Sequence, residues 1–466
     1  MKNVFEKGQE IFLIDALDNR EKRVALQQKL LARHPKSTLI SLKMNIPGPI
    51  KSNDAINKVF HSASNMLQHY LLASSVTLLA ETYRDLPTGP EGYFVIEMSG
   101  IDAKKLCIKL ENNFSLSSMI DLDVYVTVGS NIQDISRQSL SLSPRKCFVC
   151  QNEAKVCARS KQHTLKEIQR ELVTLYTDYY LSNTKKAVSQ CAQKALLYEV
   201  TCTPKPGLVD AIDSGAHEDM TIYTFINSSC VLTPFFDSFF EEGFYYSKDQ
   251  PLSGLFNKIR PIGIEAEKSM NEATQQVNTH KGAIFSLGVL ITALGYSFAQ
   301  SGNLDLIDIQ EIIKEMLRYL MADFDGLENK DPKDLTIGEK LFLDYGISGI
   351  RGEASSGYSI VFNHSLPYLV NQTTGDINDR MIDTLLFLLK HSKDTNLIKR
   401  AGTVEILDEA RQSATDILAA GGVKSNLGRQ LYLDMICEYK ERNLSIGGTA
   451  DLLIMTLCLY FIEQLP

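Results

Sequence analysis

The sequence predicts two domains of different fold class: an N-terminal α+β domain in residues 1–181 and a C-terminal all-α helical domain in residues 182–466. A chain of 466 residues exceeds what one hydrophobic core usually serves. Strand-like alternation and helical periodicity are interspersed in the first part, whereas helical periodicity predominates from Lys185 onward. The polar stretch Ser182–Thr184 lies between the two patterns and is the predicted linker.

Composition restricts the class of function. A net charge of -8 argues against general nucleic-acid binding, which needs a basic surface. No secretory signal is visible, and the apolar run Leu452–Ile462 is too short to span a bilayer, so we expect no membrane partner. Nine cysteines without a signal indicate reduced thiols and predict a cytoplasmic protein.

The first domain begins with a predicted helix, Leu17–Ala32, and an alternating strand, Thr38–Ile46. The strand ends in the turn Ile46–Lys51, whose two prolines and glycine stiffen the backbone. Lys51 at this strand end is a candidate phosphate ligand. The next predicted elements are a helix, Asp54–Ala80, and a short strand, Tyr93–Met98.

The strand Ile120–Val128 is the most informative element of this domain. Its apolar residues alternate, so Asp121 and Asp123 project together from the other face. Two carboxylates this close repel each other unless a cation or a proton lies between them. The pair is therefore a candidate catalytic site and Mg²⁺ site, although a solvated strand face gives the same pattern.

A basic segment, Arg137–Arg170, follows the strand and includes the candidate phosphate ligands Arg145 and Arg159. Fixed cations beside a metal site suit a pyrophosphate leaving group, whereas interspersed glutamates also fit an ordinary surface. Within the segment, Cys147, Cys150, Cys157 and His163 could complete a tetrahedral Zn²⁺ site. The spacing after Cys150 is not that of a common zinc module, so reduced thiols are the favoured interpretation.

Short strings across residues 1–175 resemble apo-citrate lyase phosphoribosyl-dephospho-CoA transferase, also called holo-citrate lyase synthase. These strings are Arg20–Arg23, Ile46–Lys51, Thr88–Glu91, Asp121–Val124 and Arg145–His163. The resemblance implies a nucleotidyltransferase-type reaction that attaches a phosphoribosyl-dephospho-CoA unit to a serine of the acyl carrier subunit of apo-citrate lyase and releases pyrophosphate. It also implies that Asp121 and Asp123 bind the metal.

The second domain reads as a series of helices in about 280 residues. They are predicted at Lys185–Tyr198, Tyr223–Glu242, Ile262–Asn278, Gly282–Gln300, Leu306–Phe324, Ile377–His391, Glu405–Ala420 and Asp451–Ile462, after an amphipathic helix at Thr164–Leu181.

The stretch from Glu199 to Met220 is a shaped loop rather than a helix. Pro204 and Pro206 bracket Lys205, and each removes a backbone donor. Asp210, His217 and Asp219 follow within fourteen positions of Lys205. The loop therefore presents one cation, one imidazole and several carboxylates, although a polar connection between helices has the same composition.

Other breaks in the helical pattern also carry charge. Lys281 opens a helix where free N–H groups favour anions, and Arg351 and Glu353 lie between glycines. Lysine and arginine suit phosphate, and glutamate suits acid or base catalysis. Weaker candidates are Asp394–Asn396, Gly421–Gly422 and Gly447–Asp451. Each of these breaks could be a helix cap or a tight turn, but five of them in one helical domain favour a nucleotide-binding pocket.

The strings Thr203–Met220, Asn278–Gly282, Gly349–Ala354 and Gly447–Asp451 resemble the triphosphoribosyl-dephospho-CoA synthase family, and no phosphate-binding P-loop string is present. The resemblance implies that ATP loses adenine while its ribose C1 is transferred to the 2′-hydroxyl of 3′-dephospho-CoA. Such a glycosyl transfer needs an acid, a base, and cations with Mg²⁺ on the triphosphate. The expected acid, base or metal residues are Asp210, Asp219 and Glu353, with His217 assisting; the expected phosphate ligands are Lys205, Lys281 and Arg351.

The sequence is therefore interpreted as a bifunctional transferase of citrate lyase prosthetic-group biosynthesis. Its expected partners are ATP, 3′-dephospho-CoA and the acyl carrier subunit. Two alternatives stay open at this stage. One is an ADP-ribosyl-type hydrolase in the helical half, and the other is a non-enzymatic, zinc-dependent assembly factor built around Cys147–His163.

Overall fold

The computed structural model describes residues 4–129, 131–331 and 333–465. The chain divides into two compact units, Met1–Ser182 and Asn183–Pro466, called here the N-terminal unit and the helical unit.

The N-terminal unit contains one five-stranded antiparallel sheet with helices on both faces, in agreement with the predicted α+β class. The strand order is β2-β3-β1-β4-β5. The strands are β1 Thr38–Met44, β2 Leu78–Arg84, β3 Glu91–Ile96, β4 Ile120–Val128 and β5 Asn131–Asp134; the helices are α1 Leu13–Arg33, α2 Asp54–Ala73, α3 Gly100–Asn113 and α4 Ala154–Ser160.

The strands β1 and β3 at the centre of the sheet are buried along most of their length. Leu30 and Leu31 of α1 pack with Leu39, Tyr93 and Val95 on one face. Helices α2 and α3 contact the central strands β1 and β4.

The predicted helix Leu17–Ala32 and the strand Ile120–Val128 are confirmed, but the predicted helix Asp54–Ala80 is wrong beyond Ala73. Ser75 takes a left-handed backbone conformation, φ 53°, and ends the helix. Residues 78–84 then form the edge strand β2. Their leucine, alanine and glutamate residues favour helix locally, and pairing with β3 overrides that preference.

The helical unit contains no strand among its described residues, in agreement with the predicted all-α class. After α5 Leu165–Thr201, its helices are α6 Ile222–Tyr245, α7 Ser253–Ala273, α8 Lys281–Ser301, α9 Ile309–Met316, α10 Ile337–Tyr345, α11 Gly349–Ser355, α12 Leu366–Asn371, α13 Ile377–His391, α14 Thr395–Ala401, α15 Ile406–Ala419, α16 Asn426–Glu441 and α17 Gly447–Ile462.

Helix α8 is the central helix of this unit. It is long and apolar enough to cross a membrane, but most of it is buried against α6, α7, α9 and α17, as a core helix is. A Cβ added at Gly243 of α6 would lie 2.0 Å from the carbonyl oxygen of Thr292, and one at Gly295 of α8 would lie 2.1 Å from that of Phe240. These glycines let the backbones of α6 and α8 touch.

The predicted boundary at Ser182–Thr184 coincides with the division between the two units, but these residues form part of the continuous helix α5 and not a separate linker. No glycine or proline interrupts the sequence there, and helical periodicity continues on both sides. Tyr180 is buried in the N-terminal unit, and Leu196 is buried in the helical unit. One helix therefore supplies core residues to both units.

Asn183 tests the continuity of α5, because its side chain is exposed. Asn183→Pro removes a helical N–H and introduces a clash with the preceding turn, at a cost of about 3 kcal/mol. We expect a loss of helical circular dichroism and new proteolysis near residue 183. Asn183→Ala is the matched control and should be neutral or slightly stabilising. Equal behaviour of the two variants would show a flexible connection instead.

Candidate functional sites

The two aspartates of β4 lie on the same face of the sheet, with a lysine between them. Nζ of Lys43 lies 2.7 Å from Oδ2 of Asp123 and 3.8 Å from Oδ2 of Asp121. Burial alone would lower the pKa of Lys43, but Asp123 and Asp121 together raise it above its ordinary value. Lys43 of β1 thus supplies the positive charge that the two carboxylates require. The sequence analysis did not identify Lys43, which follows five consecutive buried residues of its strand.

Arg145 contacts the same pair from the basic segment. Its guanidinium donates to Oδ1 of Asp121 at 3.1 Å and to the carbonyl oxygen of Ile120 at 2.9 Å. It also pairs with Glu111, whose other oxygen lies 2.6 Å from Arg137. Glu111 is buried, so its two arginines are needed to compensate its charge. The predicted neighbourhood of Arg145 and Asp121 is therefore present in the structure.

The other two predicted phosphate ligands of this unit are placed differently. Nζ of Lys51 donates to the carbonyl oxygen of Ile46 at 2.6 Å, which closes its own turn, and burial lowers the pKa of Lys51. Arg159 is exposed on α4. The hydrogen bond of Lys51 and the exposed position of Arg159 therefore do not link either side chain to Asp121 or Asp123.

A second charged cluster lies in the same row of the sheet. Lys43 stands opposite both Asp121 and Glu91 in the strand register, and Glu91 stands opposite Arg84. Glu91 is 2% exposed and lies 2.6 Å from Arg23 and 3.3 Å from Arg84. Positive and negative side chains therefore alternate across four strands. This brings the strings around Arg23 and Glu91 together, a relation that spacing alone did not reveal.

The four residues of the cysteine segment also meet. The ligand atoms of Cys147, Cys150, Cys157 and His163 all lie within 4.8 Å of one another. Arg145, two residues before Cys147, joins this cluster to Asp121.

In the helical unit, Lys205 is buried and its charge is compensated by the preceding helix. Nζ of Lys205 pairs with the carboxylate of Glu199 and donates to the carbonyl oxygen of Glu199 at 2.7 Å. Both side chains are almost fully buried. A buried pair of this kind fixes the loop after α5, because neither charge can be exposed without reorganising it.

Asp210 holds the same loop by its backbone. One carboxylate oxygen accepts the N–H of Lys205 at 2.8 Å, and the other accepts those of Ile212 and Asp213 at 2.7 and 2.9 Å. Three charge-assisted hydrogen bonds occupy this buried carboxylate. With these contacts, Asp210 determines the backbone conformation of the loop.

Gly207 lets the loop touch the segment before α17. Its φ is +64°, and an added Cβ would lie 1.9 Å from the carbonyl oxygen of Leu444. Tyr432 donates to the carbonyl oxygen of Pro204 at 2.6 Å, and the side-chain amide of Asn378 bonds to both backbone groups of Thr203. Three other parts of the unit thus determine the loop's position.

His217 lies between a cation and a hydroxyl group. Nη2 of Arg400 is 3.3 Å from Nδ1, and Oγ of Ser445 is 3.2 Å from Nε2. Because arginine can only donate, Nδ1 accepts and Nε2 carries the proton. Burial, and then Arg400, lower the pKa of His217, whereas the exposed Asp219 nearby raises it. His217 is therefore neutral near pH 7.

His280, which the sequence reading missed, is the buried residue at the start of α8. Its Nδ1 lies 2.7 Å from Oγ of Ser228, and its Nε2 has no hydrogen-bond partner among the described residues. Burial, with the charge of Lys205 nearby, lowers the pKa of His280 to about 3. Lys281, the predicted residue beside it, is exposed and lies 2.9 Å from Glu267.

The first turn of α17 meets both the start of α8 and the start of α14. A Cβ on Gly282 would lie 1.9 Å from Oδ2 of Asp451. Oδ2 of Asp394 accepts the N–H of Thr449 at 2.7 Å and its hydroxyl at 2.8 Å. Removal from water raises the pKa of Asp394, and that of Asp451 rises well above its ordinary value, with Glu199 and Asp394 adding to the effect.

Glu353 on α11 completes this group. Burial raises the pKa of Glu353, and Lys393 nearby opposes the rise. The buried phenol of Tyr358 interacts electrostatically with both Asp451 and Glu353. The guanidinium of Arg351 lies 5.6 Å from the ring centroid of Phe324 and is exposed.

Four of the five predicted breaks therefore contribute to one region, which we call the acidic cluster: Glu199, Glu353, Asp394 and Asp451, with Lys205 and His280 beside them. The fifth break has a different environment. Near Gly421–Gly422, the N–H of Val423 donates to Asp383 at 2.9 Å.

Comparison with known proteins agrees with this division. The family described as CitG, ATP:dephospho-CoA triphosphoribosyl transferase, matches residues 185–466, and the family described as CitX, apo-citrate lyase phosphoribosyl-dephospho-CoA transferase, matches residues 11–179. Protein CitXG of Leuconostoc mesenteroides subsp. cremoris is 37% identical over 463 residues, which cover 98% of each chain. Protein CitXG of Haemophilus influenzae is 35% identical over 463 residues, 97% of this chain and 96% of the relative.

A one-domain relative covers the helical unit alone. The probable 2-(5''-triphosphoribosyl)-3'-dephosphocoenzyme-A synthase of Lactiplantibacillus plantarum is 44% identical over 273 residues, 58% of this chain and 95% of that protein. These matches are to transferases, so the alternative of a non-enzymatic assembly factor is wrong. They lend no support to a hydrolase.

Gly207 and Gly302 form a matched pair for testing the loop contact. Both have positive φ, +64° and +76°, but a Cβ at Gly302 would meet no atom within 4 Å. Gly302→Ala should cost about 1 kcal/mol for the backbone conformation. Gly207→Ala should cost at least about 2 kcal/mol more, because the contact with Leu444 forces overpacking. Thermal unfolding followed by circular dichroism measures both; equal losses would contradict the contact.

Proposed function

The chain belongs to the two-domain family that includes the CitXG proteins, and on that premise we propose that it catalyses two successive transfers. It is a transferase of citrate lyase prosthetic-group biosynthesis. In the first transfer, the helical unit joins the ribose C1 of ATP to the 2′-hydroxyl of 3′-dephospho-CoA and releases adenine. In the second, the N-terminal unit attaches the phosphoribosyl-dephospho-CoA group to a serine of the acyl carrier subunit of apo-citrate lyase and releases pyrophosphate. The proposed compartment is the cytoplasm, since none of the nine cysteines, all of which lie in the described part of the chain, forms a disulfide.

The observation that carries the first reaction is the acidic cluster. Departure of adenine from C1 leaves positive charge on the ribose, which nearby carboxylates stabilise. Glu353 has a raised pKa and is therefore suited to donate a proton to the leaving adenine. The base that takes the proton of the 2′-hydroxyl is assigned to Asp219, which is exposed. His217, which is neutral, orients the loop next to Asp219.

Cations near Glu353 suit the triphosphate. Arg351 lies two residues before it, and Lys393 interacts with it electrostatically. Lys281 is exposed on the first turn of α8 and would have to release Glu267 to contact phosphate. Lys205 and Asp210 are assigned to holding the loop, because their polar atoms are occupied by Glu199 and by backbone groups.

The second reaction is assigned to the aspartate pair. Asp121 and Asp123 are each about one-third exposed and offer oxygen ligands on one face, which is the donor chemistry that Mg²⁺ prefers. Mg²⁺ bound there, and with the triphosphate in the helical unit, would neutralise phosphate charge. Lys43 and Arg145 hold the two carboxylates in position and provide positive charge for the departing pyrophosphate.

The two steps are separable by mutation. The chain is incubated with ATP, Mg²⁺, 3′-dephospho-CoA and the apo acyl carrier protein, and adenine, free precursor and carrier mass are measured. Asp121→Asn should lower carrier modification at least about 100-fold, while adenine release continues and precursor accumulates. Glu353→Gln should lower adenine release by a similar factor.

Surface variants provide the controls for this experiment. Asp102→Asn and Glu311→Gln change exposed carboxylates in the same two units and should leave both products unchanged. Loss of adenine release in Asp121→Asn, or carrier modification at the normal rate, would contradict the division of labour. Adenine release without 3′-dephospho-CoA would favour a hydrolase.

The pH dependence tests the role of Glu353. A proton donor acts only when protonated, so adenine formation should fall as pH rises through the raised pKa of Glu353. That limb of the kcat/KM profile should be absent in Glu353→Gln. If Glu353 were the base, activity would instead be lost as pH falls, and the observed limb would lie on the acid side.

A further inference from the structure

The cysteine cluster of the N-terminal unit has the chemistry of a metal site that neither transfer requires. We propose that Cys147, Cys150, Cys157 and His163 bind one structural Zn²⁺, which holds the segment carrying Arg145 against Asp121. The sequence reading favoured reduced thiols at these positions. The reasons for preferring a metal lie in the geometry of residues 143–163.

The first two cysteines lie on a tight turn. The backbone N–H of Cys147 donates to the carbonyl oxygen of Asn152 at 2.6 Å, and the N–H of Gln151 donates to that of Cys147 at 2.9 Å. Gln151 has a φ of 66°, which turns the chain back on itself. Cys147 and Cys150 are thereby directed to one point from a single turn, as Cys-x-x-Cys pairs in zinc sites are.

The other two ligands come from α4 and the turn that follows it. Cys157 lies on α4, and Lys161 ends that helix in the left-handed conformation, φ 49°. The sulfur atoms of Cys150 and Cys157 are 3.3 Å apart. A disulfide requires about 2.05 Å, whereas two thiolates on one tetrahedral Zn²⁺ are about 3.7 Å apart. The separation is therefore close to that of two ligands of one ion.

The segment has little else to hold it together. Among residues 136–164, all of which the structure describes, the buried side chains are those of Cys147 and Cys157. Such a segment has no hydrophobic core of its own, and a metal ion commonly supplies the missing folding free energy. Nε2 of His163 is buried with no hydrogen-bond partner among the described residues, and a metal would also satisfy the imidazole.

The ligand set selects the metal. Three thiolates and one imidazole suit Zn²⁺ in a closed tetrahedral site, whereas Mg²⁺ and Ca²⁺ take oxygen ligands. With all four positions filled by protein, the ion has no place for substrate, so its role is structural. Its effect on the reaction passes through Arg145, which is two residues from Cys147 and 3.1 Å from Asp121.

The first test is metal content and does not depend on the proposed function. The full chain, purified without added chelator, should contain about one zinc per chain by mass spectrometry of metals. Cys150→Ser and Cys157→Ser should lower that content at least tenfold, whereas Cys230→Ser and Cys437→Ser, at exposed cysteines, should not. Replacement of zinc by Co²⁺ in the unmutated chain should give thiolate-to-cobalt charge-transfer absorption, which covers the case in which the serine variants misfold.

The second test rests on the proposed function. Removing zinc should lower carrier modification while adenine release by the helical unit continues, and restoring Zn²⁺ should restore modification. A metal-free chain with normal carrier modification would overturn the proposal, as would a Cys150–Cys157 disulfide in the chain as purified. One zinc per chain with no carrier modification under any condition would refute the function assigned to the N-terminal unit but leave the metal site intact.

Discussion

The helical unit depends on keeping several charges out of water, and the pair of Lys205 with Glu199 is the one that constrains the others. An unpaired charge there would cost several kcal/mol. The pair fixes the loop after α5, and the loop in turn fixes Gly207 against the segment before α17. Asp394 and Asp451 then lie beside Glu199, where burial raises the pKa of both aspartates and the charges of Glu199 and Asp394 add to the rise at Asp451. Carboxyl groups that keep their protons, as a donor to a leaving group must, are thus a consequence of how the helices end.

The N-terminal unit solves a related problem differently. Its charges lie in a row across a sheet, where the strand register brings opposite signs side by side: Arg84, Glu91, Lys43 and Asp121. Each carboxylate has a cation on a neighbouring strand. The pair at Asp121 and Asp123 remains partly exposed, so it is accessible to a substrate while its repulsion is already compensated. Stability and readiness to bind a polyanion come from the same contacts.

The sequence alone predicted those structural features that depend on the local spacing of apolar residues. The common face of Asp121 and Asp123 follows from the two-residue repeat of a strand, and most long helices follow from apolar spacing. Lys43 and His280 were not predictable in this way. Lys43 reaches Asp123 across 80 positions of sequence, and Nε2 of His280, which has no hydrogen-bond partner in the described part of the chain, is buried only by tertiary packing. The edge strand β2 was not predictable because its pairing with β3 outweighs a local preference for helix, whereas the continuous helix α5 agrees with the local sequence, in which no glycine or proline interrupts residues 182–184.

Helix α5 has a consequence for anyone who would produce the two halves as separate proteins. A cut between Ser182 and Asn183 would leave four unsatisfied carbonyl groups on one fragment and four unsatisfied N–H groups on the other. It would also create a carboxylate at the negative end of one helix dipole and an ammonium at the positive end of the other. The new helix ends of such fragments should therefore fray. Separate fragments are better designed with one additional helical turn beyond the cut and with a capped terminus that carries no charge.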